Sequence, residues 1–518
     1  MQGRQRLIAT SRLINTHIIK ANYPGMQYKY FITLLLFFGI HQAVNASFVF
    51  NPNSIAAYQA IFDLRFNDAR KYIREEKINN PQNGIPVLLE NYIDYLFLLT
   101  SENKIEFEKF KNRKSGRIDA IKKNDKNSPY YLFAQAEIYL QSAMIKAKFG
   151  EYMSSTYDFK KAKDLLTENN EKFKDFLPNQ KSLGLIEVIF GAIPANMKGI
   201  ASVLGIEGNI TKGNRQLERF RLQIANSKFS YYNDEIVFLL CFTNVDVIQG
   251  RNSYSYVTPL LNSMNDKSLL KAYLQGYTAF RTGHADAAIK FIEAAPKGSQ
   301  YAELPLMNYL MGNAKLCRMD SDANLYLSKF ANETLSTNYI KDTYLRLAFY
   351  YLIRNNISQY NHYLTLVRTK GSVINEKDKQ ALKEANDVKP NLTLLKARLY
   401  FDGGSYNNAL AQLKSIQVND LKSQRDKLEF YYRFARTYDM MNDFDDALLY
   451  YQRTINLGKN QSYYFAAYSA LKSGNIYEYI KDDKKAAEFY NMALGMKNHE
   501  YQIGIDTHAK EGLRRLSE

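Results

Sequence analysis

Apolar residues along this chain recur at three- and four-residue intervals over most of its length, and proline and glycine are sparse, so the pattern predicts helices throughout. No stretch alternates apolar and polar positions between turn residues, so strands are not expected. Within the helical pattern, small residues recur in pairs: Ala57 and Ala69, Gly276 and Ala288, Ala397 and Ala409, Ala435 and Ala447, Gly474 and Ala486. In each pair the first lies in an amphipathic helix, a turn follows, and the second, twelve residues on, opens another helix. Two helices cross closely only where the facing surface carries no bulky side chain. The repeated interval therefore predicts stacked antiparallel helix pairs.

The unit Leu274–Pro296 is the clearest. Gly276 is the close contact of its first helix, Gly283 lies in the turn, Ala288 opens the second helix with Ile292 and Ala295 along the same face, and Pro296 ends it. Ala397, Tyr400, Gly404, Tyr406, Ala409 and Leu413 hold the same places in the next unit. Ala435, Tyr438, Asn442, Phe444, Ala447 and Tyr451 hold them in a third, and Gly474, Tyr477, Lys481, Ala486, Tyr490 and Ala493 in a fourth. These units resemble tetratricopeptide repeats (TPRs). Ala57–Ile73 matches fairly and Met311–Leu327 loosely. The resemblance implies an all-α, right-handed α-solenoid of antiparallel helix pairs. Two departures stand out: no unit has the family's tryptophan, and Ala397, Ala435 and Gly474 are spaced by 38 and 39 residues against about 34 for the family.

Residues 80–260 are helical but irregular, with Pro129–Lys148 and Tyr152–Glu168 expected as one long pair. Residues 371–390 are polar and turn-rich and are expected to be a flexible joint. The organisation expected is thus 47–255, an irregular helical segment; 256–370, TPR-like repeats; 371–390, the joint; and 391–518, C-terminal repeats. Gly184–Ile210 is unusually apolar and is read either as a buried helical hairpin or as an exposed contact patch over Phe190–Leu204, which low exposure of Phe190, Ile193 and Val203 would exclude.

The first strongly apolar run, Phe31–Ile40, follows Lys29 and precedes Val44 and Ala46. A positive start, a short apolar stretch and a small-x-small end form a secretory signal pattern. Met26–Ala46 is therefore read as a cleavable leader and 1–25 as an over-extended start. Removing 1–46 takes away Arg4, Arg6, Arg12, Lys20 and Lys29 and no acidic residue, so the net charge falls from +17 to +12. That excess is spread evenly, with Lys and Glu alternating, as on solvated helix faces. Nucleic-acid binding, which calls for a concentrated basic stripe, is not expected. Weak association with an anionic envelope surface is compatible with the charge, and no later run is long enough to span a bilayer.

No catalytic constellation stands out. HExxH, a phosphate loop and a GxSxG elbow are all missing. The histidines His284, His362, His499 and His508 lack ligand-spaced partners, Cys241 and Cys317 sit in apolar helical patterns, and no metal or cofactor is expected. A non-catalytic scaffold is the expected role. The first helix of each pair should line a concave groove. Residues at fixed steps after the small position should point into it: Tyr277, Phe280 and Arg281; Arg398, Phe401 and Asp402; Arg436, Asp439 and Met440; Asn475, Glu478 and Tyr479. Tyr and Arg mixed with acids suit a peptide or protein partner. The alternatives are a glycan- or nutrient-binding envelope protein on TPR helices, for which a lipid-anchor cysteine and stacking tryptophans are missing, and an enzyme of unrecognised type.

Overall fold

Helix starts are set by short polar side chains that accept from otherwise free amides of the first turn. Asn51 accepts from Ser54, Ser128 from Tyr130, Ser268 from Lys271, Ser423 from Asp426 and Asp482 from Lys485. The computed structural model describes residues 48–193, 205 and 207–517. The expected leader and Val203 lie outside these. All the described residues fall in one unit, Ser47–Glu518.

Among the described residues twenty-four α-helices follow in order. They begin with α1 (Pro52–Phe62), α2 (Phe66–Asn79), α3 (Ile85–Ser101), α4 (Lys104–Ile121), α5 (Pro129–Lys148), α6 (Tyr152–Lys172), α7 (Pro178–Gly191), α8 (Ile210–Ile224) and α9 (Asn233–Phe242), which runs on through a π-turn at Thr243–Ile248. The middle holds α10 (Ser253–Asn262), α11 (Leu269–Arg281), α12 (Ala285–Glu293), α13 (Leu306–Cys317), α14 (Ala323–Glu333), α15 (Ile340–Leu352), α16 (Ile357–Thr369) and α17 (Glu376–Asn386). The last are α18 (Leu392–Asp402), α19 (Tyr406–Lys414), α20 (Gln424–Met440), α21 (Phe444–Gly458), α22 (Phe465–Tyr479), α23 (Asp483–Gly495) and α24 (Gln502–Leu516). No strand occurs among the described residues.

The helices form antiparallel pairs, α11/α12, α13/α14, α15/α16, α18/α19, α20/α21 and α22/α23 among them, and first helices stand side by side: α11 on α13, α13 on α15 and α18, α18 on α20, α20 on α22. The fold is an all-α, TPR-like solenoid. The small residues sit where the pairs cross. Ala57, Ala69, Ala288, Ala397, Ala409, Ala435, Ala447 and Ala486 are at most 1% exposed. A Cβ on Gly276 would lie 2.8 Å from Ile292, and one on Gly474 2.6 Å from the Tyr490 ring. The unit matched only loosely in sequence has its small residue at Gly312, where a Cβ would lie 2.6 Å from Leu327.

Gly184 of α7 and Gly213 of α8 let those helices touch through backbone: a Cβ on Gly213 would meet the Gly184 carbonyl at 2.6 Å. Phe190 is buried and Ile193 half-buried, and residues 194–204 lie outside the described residues.

One expectation needs refinement. Residues 371–390, expected as a flexible joint, hold α17, which packs on α15. Asp378 of α17 is the reason, because it accepts from the amides of Tyr339 (2.6 Å) and Asp342 (3.0 Å) at the start of α15. The flanking segments also meet directly. The Ala285 amide donates to the Gly403 carbonyl at 3.1 Å, and a Cβ on Gly404 would collide with the Gly283 carbonyl, with both glycines at positive φ. Contacts also run between units that are not neighbours in the row. Glu102 accepts from Ser336 (2.6 Å) and Asn338 (2.7 Å), the α1–α2 turn is seated on 265–302 through Asp63 and Leu64, and Arg514 of α24 donates to Thr211 of α8 at 2.8 Å.

Candidate functional site: the row of first helices

Most of the expected groove residues are engaged within the chain. On α11, the Tyr277 hydroxyl donates to Asp246 at 2.5 Å and Arg281 lies 3.4 Å from the same carboxylate, while Phe280 packs half-buried at the edge of the core. On α18, Arg398 forks onto Glu384 of α17 at 2.9 and 3.0 Å, with Asp402 3.9 Å from its Nε. Burial alone would raise the Glu384 carboxyl, but Arg398 outweighs it and brings it down to about 2. On α22, Asn475 and Glu478 both accept from the Tyr490 hydroxyl, and Arg515 of α24 forks onto Glu478 at 2.7 and 2.8 Å.

Asp439 of α20 is claimed by a residue that the sequence did not single out. Arg251, in the turn after the π-turn, pairs with its carboxylate, donates to its carbonyl at 2.8 Å and reaches Asn442 at 3.1 Å. The same guanidinium lies over Phe444 (5.0 Å) and the exposed Tyr479 (5.2 Å), a cation–π arrangement. The Tyr451 hydroxyl donates to the other Asp439 oxygen at 2.9 Å.

What remains is a cationic and aromatic stretch on α18, α20 and α22. Arg436 lies over Phe401 at 5.1 Å and over Tyr468 at 5.8 Å, so one guanidinium spans three successive first helices. Its Nε has no acceptor. Lys472 lies 5.2 Å over Tyr468. Lys472 first, then Arg436, pull the Tyr468 phenol below its usual range despite burial. Met440 is half-buried on the same helix as Arg436. Farther along, Lys377 of α17 stands among Asp342, Arg346, Arg281 and Asp402, and burial lowers its ammonium. Among the described residues, neither Arg436, Lys472 nor Lys377 forms an ion pair. Tyr468 and Lys472 lie four residues apart on one face of a first helix and could have been found from the sequence; Arg251, in a turn, left no periodic signal.

The other concentration of charge is enclosed in the N-terminal segment. Lys181 reaches Glu137 at 3.0 Å and Glu235 at 2.8 Å. Tyr58 donates to Glu235, and Tyr92 donates to Glu137 at 2.6 Å. The adjoining cavity is about 10 Å³, which holds a water at most and no substrate. Both cysteines are free and buried, and burial pushes their thiols up to about 12. No group of His, Cys, Asp and Glu among the described residues could hold a metal, and no helix among them is long and apolar enough to cross a membrane.

No protein-family model matches the chain, and no curated protein does. Among solved structures it is similar to the P58(IPK) TPR domain, at 12% identity over 79% of this chain and 96% of that one, with a TM-score of 0.21. It is also similar to the Cut9–Hcn1 hetero-tetramer of the APC/C, at 12% identity over 95% and 99% with a TM-score of 0.24. Yeast Tom70 matches at 11% identity over 88% and 96% with a TM-score of 0.22. At such scores these likenesses carry no argument, and the description of the fold rests on the helix pairs themselves.

Proposed function

We propose that the chain is a non-catalytic interaction scaffold of a bacterial cell envelope, reached through the leader at Met26–Ala46, that holds a peptide or partner protein along the row of first helices. The observation that carries this reading is the Arg436 guanidinium, held between Phe401 and Tyr468 with no anionic partner among the described residues. It is half-buried, and a carboxylate or carbonyl of a bound peptide would pair with its charge. Lys472, which engages Tyr468 but no carboxylate among the described residues, adds a second cation, and the flanking rings provide apolar contact, the mix found at binding hot spots.

A photo-crosslinking residue in place of Phe401 should capture a defined protein partner in cells. Arg436→Glu should abolish that capture while leaving the helical circular dichroism unchanged. Capture that survives the reversal would exclude this site. Export has a separate test: the chain recovered from envelope fractions should begin at Ser47, and a full-length chain in the cytosol would overturn it.

A further inference from the structure

Beyond the row of first helices, α8 and α24 flank an open cleft of about 990 Å³, closed at one end by the Arg514–Thr211 hydrogen bond. One face of α8 lines it, with Lys212, Arg215, Gln216, Arg219 and Gln223 at helical spacing. Lys174 stands on the far wall and Arg515 comes from α24. No acidic residue lines it. Lys212 is held by Glu187 at 2.8 Å and Arg515 by Glu478, but Lys174, Arg215 and Arg219 form no ion pair among the described residues. The cleft therefore keeps an uncompensated positive potential, unlike the self-paired stretches elsewhere, and like-sign charge focused in a concavity attracts an oppositely charged chain.

We infer that this cleft is a second binding site, for an extended acidic peptide segment with carboxylates at alternate positions. Arg215 and Arg219 are one helical turn apart, about 6 Å along the axis. Side chains on one side of an extended peptide recur about every 6.6 Å, so two alternate carboxylates meet the two guanidiniums in register. Gln216 donates to the Gln180 carbonyl at 3.1 Å and to its side-chain oxygen at 2.8 Å, which leaves the Gln216 Oε1 to accept a peptide amide. Two other polyanions fit less well. Single-stranded nucleic acid is held by stacking on aromatic rings, and no aromatic residue lines the cleft; a membrane surface calls for an apolar face, and Leu177 is the one apolar residue in the lining.

The test is a fluorescence-anisotropy titration of the full chain with a labelled dodecapeptide alternating Glu and Ser. Its Gln–Ser counterpart, a single-stranded DNA dodecamer and anionic phosphatidylglycerol vesicles serve as competitors. The Glu–Ser peptide should bind about tenfold or more tightly than the Gln–Ser peptide, and the difference should shrink with added salt. Arg215→Glu with Arg219→Glu should weaken it by about tenfold or more. The double reversal Lys329→Glu with Lys459→Glu, at exposed unpaired lysines of other helices, should leave it within about twofold. Arg436→Glu should also leave it unchanged, which separates this site from the one proposed above. Equal weakening by both double reversals, or binding of DNA or vesicles as tight as that of the peptide, would overturn the inference.

Discussion

The N-terminal segment and the C-terminal repeats solve the same problem, packing helices in a row, by different means. In α18–α24 the crossings are made by missing side chains: Ala397, Ala435 and Gly474 on first helices, Ala409, Ala447 and Ala486 on second helices. The Tyr490 ring is gripped between Gly474 and Gly512, where Cβ atoms would lie 2.6 and 2.5 Å away. In α1–α9 the organiser is instead a buried ion network. One ammonium, Lys181, ties α7 to α5 and α9, while Tyr58 and Tyr92 bring in α1 and α3. Burial disfavours the Lys181 charge, and the two glutamates outweigh that effect and raise its ammonium. The first mode is local and repeatable. The second is a single knot on which five helices depend.

The largest expected effect tests that knot. Lys181→Met leaves two buried carboxylates without their cation and should cost about 3–5 kcal/mol, read by urea unfolding. Loss of the whole N-terminal segment in one transition is expected; a loss under about 1 kcal/mol would erase the contrast with the repeats. Next is acid sensitivity at the Arg398–Glu384 pair. Glu384 titrates near 2 when folded against an ordinary 4.5. A lowered carboxyl stabilises fully above its unfolded value and loses that contribution as pH falls through the folded one. About 3 kcal/mol should therefore disappear between pH 5 and pH 2, and the Arg398→Leu chain should lack this component when unfolding is compared across that range. Ala447→Leu should overpack the α20–α21 crossing and cost about 1–3 kcal/mol. Its damage should centre on α20–α23 by hydrogen exchange, and protection lost equally in α1–α9 would show that the repeats are no more local than the knot. Smallest is Arg251→Ala, expected to cost about 1–2 kcal/mol, with faster amide exchange at 243–252 and 439–444 as its signature.

The contrast also explains what was legible in the sequence. A crossing made by two small residues twelve positions apart is written within one unit, so Gly276, Ala435 and Gly474 announced helix pairs without knowledge of anything distant. Gly312 was harder, because its partner Ala323 follows after eleven residues and the register slips. The Lys181 network joins residues separated by 44 to 177 positions, and no periodicity links them. The same limit applied to function. Helical spacing placed Arg398 and Glu478 on the face of interest, but Glu384 and Arg515, which neutralise them, come from α17 and α24. Their pairing within the chain was therefore not foreseen, and Lys377, Tyr468 and Lys472 were not singled out. The polar composition of 371–390 suggested a loose link because Asp378 looks solvated until the amides it caps are known.

Arg251 reaches Asp439 across 188 residues of chain. For the two to separate, a guanidinium must leave both a carboxylate and the cleft between two aromatic rings. In a stack where each unit touches only the next, flexing is resisted by adjacent contacts alone; here a crossbar adds to them. A guest meeting this surface would find a template of fixed curvature and lose little freedom in shaping it. A partner too bulky for that curvature would first have to extract one arginine, and the work of doing so would set its threshold for admission.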